Sequence, residues 1–250
     1  MKNIDFAATL KTELLEGLRV SVAELGGPNS LKHLSPHGTT IGAFPILKGE
    51  AAIVFSDGKM SAMDQGMYLS IDKIMRVDAT SVLLISGSPA IGERVRRTLR
   101  NYIGFLEDSE QERLTFRAKV NFLKDALFSG LGLAGAGLSV MPIFVAYDAE
   151  QKRIRICTLF PDSSHIDHTA TAEDTGEKPV SLFGSGYTSG AGLLRKLWRP
   201  GLTEKAGLAV AREVLEETAR VDNASGGKFR FKRVDAGGVR VIGEDSDAQR

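Results

Sequence analysis

The first hydrophobic pattern along the chain has helical spacing. Apolar residues recur every three or four positions over residues 5–25, at Phe6, Leu10, Leu14, Leu18, Val22 and Leu25. Because residues at this spacing share one face of a helix, the segment is predicted to form an amphipathic leader helix. The run Gly26-Gly-Pro-Asn29 predicts where that helix ends.

From Gly38 onward the spacing becomes that of short strands and helix pairs. Two hairpins are predicted first, from strands Thr40–Leu47, Ala51–Ser56, Tyr68–Val77 and Ser81–Ser86 with turns at Lys48-Gly49 and Asp57-Gly58. Helices Ile91–Leu106 and Gln111–Leu127 follow, then strands Met141–Tyr147 and Arg153–Phe160, a polar stretch Pro161–Lys178, and strand Val180–Phe183. Helices at about 189–198 and 203–220 and strands Phe229–Val234 and Val239–Ile242 complete the pattern. This order is not the alternation of a doubly wound sheet, and it predicts an α+β fold of two stacked sheets flanked by helix pairs.

Composition and charge exclude several classes of protein. The 250 residues are 42% hydrophobic and 25% charged, which is typical of a globular chain. A net charge of +1 gives no field to draw the protein to nucleic acid or to an anionic membrane, so neither is expected as a partner. The single cysteine, Cys157, makes no internal disulfide, and Lys11, Glu13 and Glu16 interrupt any secretory signal. We therefore expect a cytoplasmic protein.

Several local motifs favour a structural role over a catalytic or ligand-binding role. His165-x-x-His168 lacks Cys or Glu at zinc-site spacing, so neither a metal nor another cofactor is expected. The uncharged run Phe128 to Tyr147 is interpreted as a helix end followed by a buried strand, not as a membrane span. Its Gly130-Leu-Gly-Leu-Ala-Gly135 follows a helix, whereas a dinucleotide fingerprint follows a strand. Ser185 lacks the first glycine of a hydrolase elbow.

The segment Pro36-His-Gly-Thr-Thr-Ile-Gly42 carries the candidate chemistry. If the Gly38–Thr39 bond were cut, Thr39 would hold a hydroxyl nucleophile beside its own α-amine, which can act as the general base. The amine has a reference pKa of about 7.7–8.0, and a nearby lysine ammonium would keep it neutral at physiological pH. Such a site needs a lysine and an acid to hold that lysine.

With these residues in place, the chain resembles the β subunits of bacterial and archaeal 20S proteasomes, which are N-terminal-nucleophile hydrolases. The resemblance covers Gly38 to about Gly227 and rests on motifs in order and spacing. These are Gly38-Thr-Thr40, Asp57, Lys73 sixteen residues later, Gly87 fourteen residues after that, Gly184-Ser-Gly186 and Asp222-Asn-Ala-Ser-Gly-Gly227. It implies a four-layer αββα sandwich of two antiparallel sheets between helix pairs, the N-terminal-nucleophile hydrolase fold.

The resemblance also implies roles for individual residues. Thr39 would be the nucleophile, exposed when cleavage after Gly38 removes a propeptide of residues 1–38 and leaves one catalytic domain, 39–250. The implied catalytic set is Thr39, Asp57, Lys73, Gly87, Ser185, Asp222 and Ser225, with the N–H of Gly87 as oxyanion donor. The implied substrate-binding residues are Met60, Ser61, Ile71, Met75 and Ile85, whose mainly apolar character predicts cleavage after bulky apolar residues.

The sequence departs from the family pattern near Asp57. Eighteen residues separate Thr39 from Asp57 where sixteen is usual, Gly58-Lys59 replaces a common Arg-Arg pair, and Ser61 replaces a common Thr. These departures affect the local turn and the edge of the substrate cleft.

Implied partners are proteasome α subunits, other β subunits in stacked heptameric rings, an ATPase regulator ring and unfolded protein substrates. Two alternatives remain open at this point. One is an unprocessed, non-catalytic ring subunit of the same fold, and the other is an N-terminal-nucleophile amidase that acts on small molecules.

Overall fold

The computed structural model describes residues 2–16, 39–62, 67–110, 113–131 and 139–245. Within this part of the chain there are six α-helices: α1 Lys2–Glu16, α2 Pro89–Glu110, α3 Phe116–Ser129, α4 His168–Thr175, α5 Tyr187–Leu197 and α6 Glu204–Val221. The strands are β1 Thr40–Ile46, β2 Ala51–Ser56, β3 Lys59–Ala62, β4 Met67–Ser70, β5 Ile74–Arg76 and β6 Ser81–Gly87. They continue as β7 Val140–Asp148, β8 Arg153–Leu159, β9 His165–Asp167, β10 Ser181–Gly184, β11 Arg230–Asp235 and β12 Gly238–Glu244.

The strands form two antiparallel five-stranded sheets and a small ribbon. The first sheet has the order β10-β1-β2-β11-β12, and the second has the order β5-β6-β7-β8-β9. Strands β3 and β4 pair with each other outside both sheets. The two predicted hairpins are confirmed, since β1 pairs with β2 and β5 pairs with β6.

Three apolar clusters hold four layers together. One lies between the two sheets and includes Ile41, Val54, Leu84, Ile143 and Ile156. A second joins the other face of the second sheet to α2 and α3, and a third joins the other face of the first sheet to α5 and α6. Because each sheet is covered on both faces, its strands are apolar on both sides. The predicted α+β fold of two stacked sheets between helix pairs is confirmed.

The prediction of one strand over Tyr68–Val77 is wrong. The chain leaves the β3–β4 ribbon after Ser70, and residues 71–73 form a link before β5 enters the second sheet. The Asp72 carboxylate accepts the backbone N–H of Ile74 at 2.9 Å, which stabilises the break. Alternation alone could not reveal the break, because both halves pair as strands but with different partners.

Four further elements differ from the sequence prediction. The polar stretch Pro161–Lys178 contains β9 and α4, and the Asp167 side chain caps α4 by accepting the N–H of Ala170 at 3.0 Å. The helix predicted from Gln111 begins instead at Phe116, because Thr115 caps it. Strand β3 was not predicted from the sequence. It is stabilised by its pairing with β4.

Helix α1 covers part of the leader region that was predicted to be helical, and residues 17–25 of that prediction lie outside the described residues. It lies against α2 and α3, where Lys11 Nζ is 2.7 Å from Asp125 Oδ2 and Leu15 packs on the neighbouring cluster. Among the described residues, the search for a helix of sufficient length and apolarity to cross a bilayer finds none.

Candidate active site

Thr39 lies directly before β1, at the open end of the β1–β2 hairpin. The hairpin closes through a turn at Leu47–Gly49, at the far end of both strands. At the open end the backbone N–H of Asp57 donates to the carbonyl of Thr40 at 3.0 Å. The hairpin therefore brings Asp57 beside the residue that follows Thr39.

Asp57 and Lys73 form a buried ion pair. Lys73 Nζ lies 2.6 Å from Asp57 Oδ1, and the side chains are 3% and 0% exposed. Asp57 also accepts the backbone N–H of Thr40 at 2.8 Å through Oδ1 and that of Gly226 at 2.9 Å through Oδ2. These donors compensate the carboxylate for lost hydration, as a buried charge requires.

Lys73 has a further partner and an altered pKa. Its ammonium donates to the carbonyl of Lys59 at 2.7 Å, so two acceptors fix its position. Burial lowers the pKa of Lys73 because desolvation penalises the charged form, while the negative charge of Asp57 opposes the shift.

A network of hydroxyl groups surrounds the backbone of Thr39. Ser185 Oγ accepts the Thr39 N–H at 3.1 Å and donates to the Thr39 carbonyl at 3.2 Å. Ser225 Oγ donates to Asp222 Oδ2 at 2.7 Å and shares a hydrogen bond of 2.6 Å with Thr40 Oγ1. The two serine hydroxyls lie 3.4 Å apart, so the network is continuous from Thr39 to Asp222.

Asp222 is the anion of this network. Partial burial opposes its ionisation, but hydrogen bonds from Ser185 and Ser225 outweigh burial and hold its pKa below the usual range. Asp222 therefore remains ionised at neutral pH, and it accepts the proton of the Ser225 hydroxyl.

Two glycines allow backbone to approach closely at the site. Gly184 has φ +105°, and a Cβ there would lie 2.0 Å from the carbonyl oxygen of Thr39. Gly87 has φ +104°, and a Cβ there would lie 2.3 Å from the carbonyl oxygen of Ser139. A residue with a side chain would be strained at either position, so the backbone conformation there requires glycine.

A small cleft opens beside Thr39, and we call it the Thr39 cleft. Its lining residues are Thr39, Ile71, Lys73, Met75, Ile85, Gly87 and Pro89. Its walls come from the link 71–73, from β5 and β6, and from the start of α2. The cleft thus combines a hydroxyl, an ammonium, a glycine backbone and an apolar wall.

The structure brings most of the predicted site residues together. Asp57 and Lys73 touch, Ser185, Asp222 and Ser225 form the network at Thr39, and Gly87, Ile71, Met75 and Ile85 line the Thr39 cleft. Gly38 and the side chains of Met60 and Ser61 lie outside the described residues. The roles of all these residues stay predictions.

Sequence reasoning missed Thr40, Gly226 and Pro89. Thr40 and Gly226 both donate backbone N–H groups to Asp57, and Pro89 lines the cleft. Thr40 and Gly226 belong to the Gly-Thr-Thr and Ser-Gly-Gly motifs, which could have marked them. A backbone N–H group is not specific to any residue type, so the sequence does not mark it as a donor.

His168 and the single cysteine, Cys157, both have surroundings that indicate a structural role. His168 shares a hydrogen bond of 2.8 Å with Thr158 Oγ1, and burial lowers its pKa. Burial raises the pKa of the Cys157 thiol to about 12, which makes it a poor nucleophile. No group of three or more potential metal ligands occurs in the described ranges.

Comparison with known proteins gives one consistent family. The family model described as "Proteasome subunit" matches residues 36–234. The chain is 29% identical to "Proteasome subunit beta" of Acidimicrobium ferrooxidans over 223 residues, covering 89% of this chain and 76% of that protein. It is 28% identical to "Proteasome subunit beta" of Streptomyces griseus over 235 residues, covering 92% of this chain and 76% of that protein. The family model covers the second sheet, the first sheet except β12, and the residues around Thr39, and the chain belongs to the proteasome subunit family.

Proposed function

We propose that this chain is a proteolytic β subunit of a bacterial 20S-type proteasome core, a threonine-type endopeptidase. In this proposal Thr39 becomes the N-terminal residue by self-cleavage and then hydrolyses peptide bonds. The observation that carries it is the shared cleft, in which Thr39 lies with Lys73 while Lys73 is held by the buried Asp57. A buried lysine held beside a threonine is an arrangement that suits an activated nucleophile.

Self-cleavage would begin with attack of Thr39 Oγ on the carbonyl carbon of Gly38. The C–N bond between the two residues breaks, an ester to Oγ forms, and the nitrogen of Thr39 becomes a free amine. Water then hydrolyses the ester, which releases residues 1–38 with a terminal carboxylate and restores the hydroxyl. The hydrogen bond from the Thr39 N–H to Ser185 supports this step, because it already orients the nitrogen that must leave.

Proteolysis would repeat the same chemistry on a substrate. The freed amine of Thr39 accepts the Oγ proton as Oγ attacks a peptide carbonyl, and the Gly87 N–H stabilises the resulting oxyanion. The proton passes to the leaving amine, and water hydrolyses the acyl ester. The mature chain then starts another cycle with its hydroxyl restored.

The electrostatics of the cleft favour the neutral amine that this mechanism needs. Lys73 is an ammonium beside Thr39, and a like charge disfavours protonation of the amine. Asp57 holds Lys73 at 2.6 Å, and Ser185, Ser225 and Asp222 would orient the amine and the hydrolytic water.

The apolar wall of the cleft supports a preference for bulky apolar residues before the cut. Ile71, Met75 and Ile85 line the cleft, and an apolar wall gains free energy when it covers an apolar side chain. A basic side chain would lose its hydration there and would meet the like charge of Lys73.

The proposal includes the assembly that such a protease needs in the cytoplasm. The subunit would stand in heptameric β rings, two of which stack between rings of α subunits, with an ATPase ring that delivers unfolded proteins. The relatives named "Proteasome subunit beta" support assembly with other proteasome subunits, and the ring arrangement and the ATPase ring are part of the proposal.

The test is peptide hydrolysis by the chain co-expressed with the α subunit encoded in the same genome. Peptides with Leu, Lys or Glu before the reporter are compared for wild type, Thr39→Ala and Thr39→Ser. We expect Leu to be preferred by at least tenfold, no turnover by Thr39→Ala, and partial turnover by Thr39→Ser, which keeps a hydroxyl. Equal turnover by wild type and Thr39→Ala would overturn the proposal.

A further inference from the structure

Lys73 stands on a short piece of backbone without sheet pairing of its own. Residues 71–73 link the β3–β4 ribbon to the second sheet. The backbone N–H of Ile71 donates to the Gly58 carbonyl at 3.2 Å, and the carbonyl of Lys73 accepts the N–H of Ile85 at 3.0 Å. The position of the ammonium therefore depends on what else holds this link.

Two cationic side chains from β11 fix the link 71–73 in position. Arg230 Nη1 donates to the Ile71 carbonyl at 2.7 Å. Lys232 Nζ, two residues along the same face of the strand, lies 2.6 Å from Asp72 Oδ2 and 2.7 Å from the Ile74 carbonyl. The link is thus fixed at both ends from the first sheet, which is also the sheet that carries Asp57 at the end of β2.

Arg230 is well placed for a fixed role. Its side chain is 14% exposed, and Glu244 on β12 lies 3.4 Å from its Nε. In the strand register Arg230 stands opposite Ser56, the residue before Asp57. Arg230 therefore connects the end of β2, which it pairs with through its backbone, with the link that carries Lys73, which its guanidinium contacts.

The glycine that follows Asp57 leaves space for this contact. A Cβ on Gly58 would lie 2.7 Å from Arg230 Nη1 and 2.7 Å from the Lys228 carbonyl. Gly58 is one of the positions at which the sequence departs from the family pattern, which commonly has an arginine there. Glycine at position 58 leaves the space that the Arg230 guanidinium occupies.

We propose that Arg230 is a positioning residue for the nucleophile, which acts through the Ile71 carbonyl to hold Lys73 between Asp57 and Thr39. This inference rests on the proposed function and extends it to a residue outside the predicted catalytic set. Loss of the Arg230 contact frees the link, so the ammonium moves away from the Thr39 amine. The amine then gains a proton more readily, and less of it is available as the base.

The charges around Lys73 agree with this role. Asp57 and Asp222 favour its protonated form, whereas the positive charge of Arg230 disfavours it and so lowers its pKa, after the larger effect of burial. Arg230 holds Lys73 through backbone and not through charge attraction. A change at Arg230 should therefore alter the position of Lys73 more than its protonation.

The experiment compares assembled particles containing wild type, Arg230→Gln, Arg230→Lys or Arg233→Gln. Arg233 is the matched control, because it lies on the same strand but pairs with Glu204 and Asp235. Rates are expressed per chain that starts at Thr39, counted by mass spectrometry. Kinetic constants and the pH–rate profile are then measured with one apolar peptide.

For Arg230→Gln we expect kcat on the acid limb to fall about threefold while KM changes less than twofold, since the loss acts on the nucleophile. The acid limb of the pH–rate profile should move up by about half a unit, because the amine has lost its cationic neighbour. Arg230→Lys should recover part of the rate, and Arg233→Gln should match wild type. Wild-type kcat and an unmoved acid limb in Arg230→Gln would overturn the proposal, even if the variant is less stable.

Two further measurements keep the inference testable. If Arg230→Gln does not fold, Glu244→Gln removes the carboxylate beside the guanidinium, and we expect a two- to threefold fall in kcat. If wild type shows no Thr39-dependent turnover, the proposed function fails separately. A crystal structure of the Arg230 variant then decides the present inference, with Lys73 Nζ expected beyond hydrogen-bond distance of Asp57 Oδ1, and an unmoved Lys73 contradicting it.

Discussion

Lys73 Nζ lies 2.6 Å from Asp57 Oδ1 in a fully buried ion pair that joins the two sheets of the fold. Asp57 follows the end of β2 in the first sheet, and Lys73 precedes β5 in the second. The pair therefore does more than balance two charges. It fixes the relative position of the two sheets at the edge where Thr39 lies.

Asp57→Asn should impair both stability and activity. Removing one partner of a buried pair leaves the other charge uncompensated, and we expect a loss of about 3–5 kcal/mol in the free energy of unfolding of the isolated chain. Peptide hydrolysis should fall at least about a hundredfold, since Lys73 is no longer held. Urea unfolding and a peptide assay measure the two effects.

The control for Asp57→Asn is Glu217→Gln. Glu217 pairs with Arg220 on the surface of α6, where the two side chains are 33% and 68% exposed. Solvent screens such a pair, so this variant should keep the stability and rate of wild type. If Asp57→Asn also keeps both, the role assigned to the buried pair is wrong.

The pH dependence of the rate should be bell-shaped. The rate rises as the Thr39 amine loses its proton, because the neutral amine is the base. Burial lowers the pKa of Lys73, so at higher pH the lysine becomes neutral, the ion pair with Asp57 that holds it beside Thr39 is lost, and the rate falls. The alkaline limb should therefore lie below pH 10.5, the ordinary pKa of lysine.

This alkaline limb is tested by brief exposure to each pH followed by assay at pH 8. A rate that falls at high pH and recovers at pH 8 reports titration, whereas a permanent loss reports unfolding. A rate that stays constant up to pH 10.5 would show that Lys73 does not act through its charge.

Gly184→Ala should abolish both self-cleavage and turnover. The added Cβ would meet the Thr39 carbonyl oxygen at 2.0 Å at a position with φ +105°, so backbone must move at the nucleophile. Gly104→Ala on α2 is the matched control, because nothing lies within 4 Å of its Cβ. That change should raise stability by about 0.5–1 kcal/mol and leave activity unaltered. Active Gly184→Ala would contradict the close approach at Thr39.

Met75→Ala should shift the preference among apolar substrates. Met75 lines the Thr39 cleft, and its truncation to Ala widens the cleft, which leaves more room for a large apolar side chain. We expect the ratio of kcat/KM for a Trp peptide over a Leu peptide to rise about tenfold, within the usual range for a change of a few methylene groups. Met141→Ala makes the same change on β7, outside the lining residues, and should leave the ratio at its wild-type value. An unchanged ratio in Met75→Ala would assign this residue to the core.

The sequence predicted the layers of the fold well, because they follow from local alternation and helical spacing. The break at Ile71–Lys73 could not be predicted in this way, since it depends on β4 and β5 pairing with different strands. At the site, the chemistry of an N-terminal threonine asked only for a lysine and an acid, and the resemblance to proteasome β subunits pointed to Asp57 and Lys73. Gly226 and Arg230 escaped detection because they act through a backbone N–H and on a backbone carbonyl, which impose no spacing on side chains.

The most direct test of the account is the N-terminal sequence of the chain purified after co-expression with its α subunit. The account predicts that wild type starts at Thr39, whereas Thr39→Ala and Lys73→Ala retain the residues before position 39. Wild type that retains those residues would contradict self-cleavage. So would Thr39→Ala that also starts at position 39, because another protease would then make the cut.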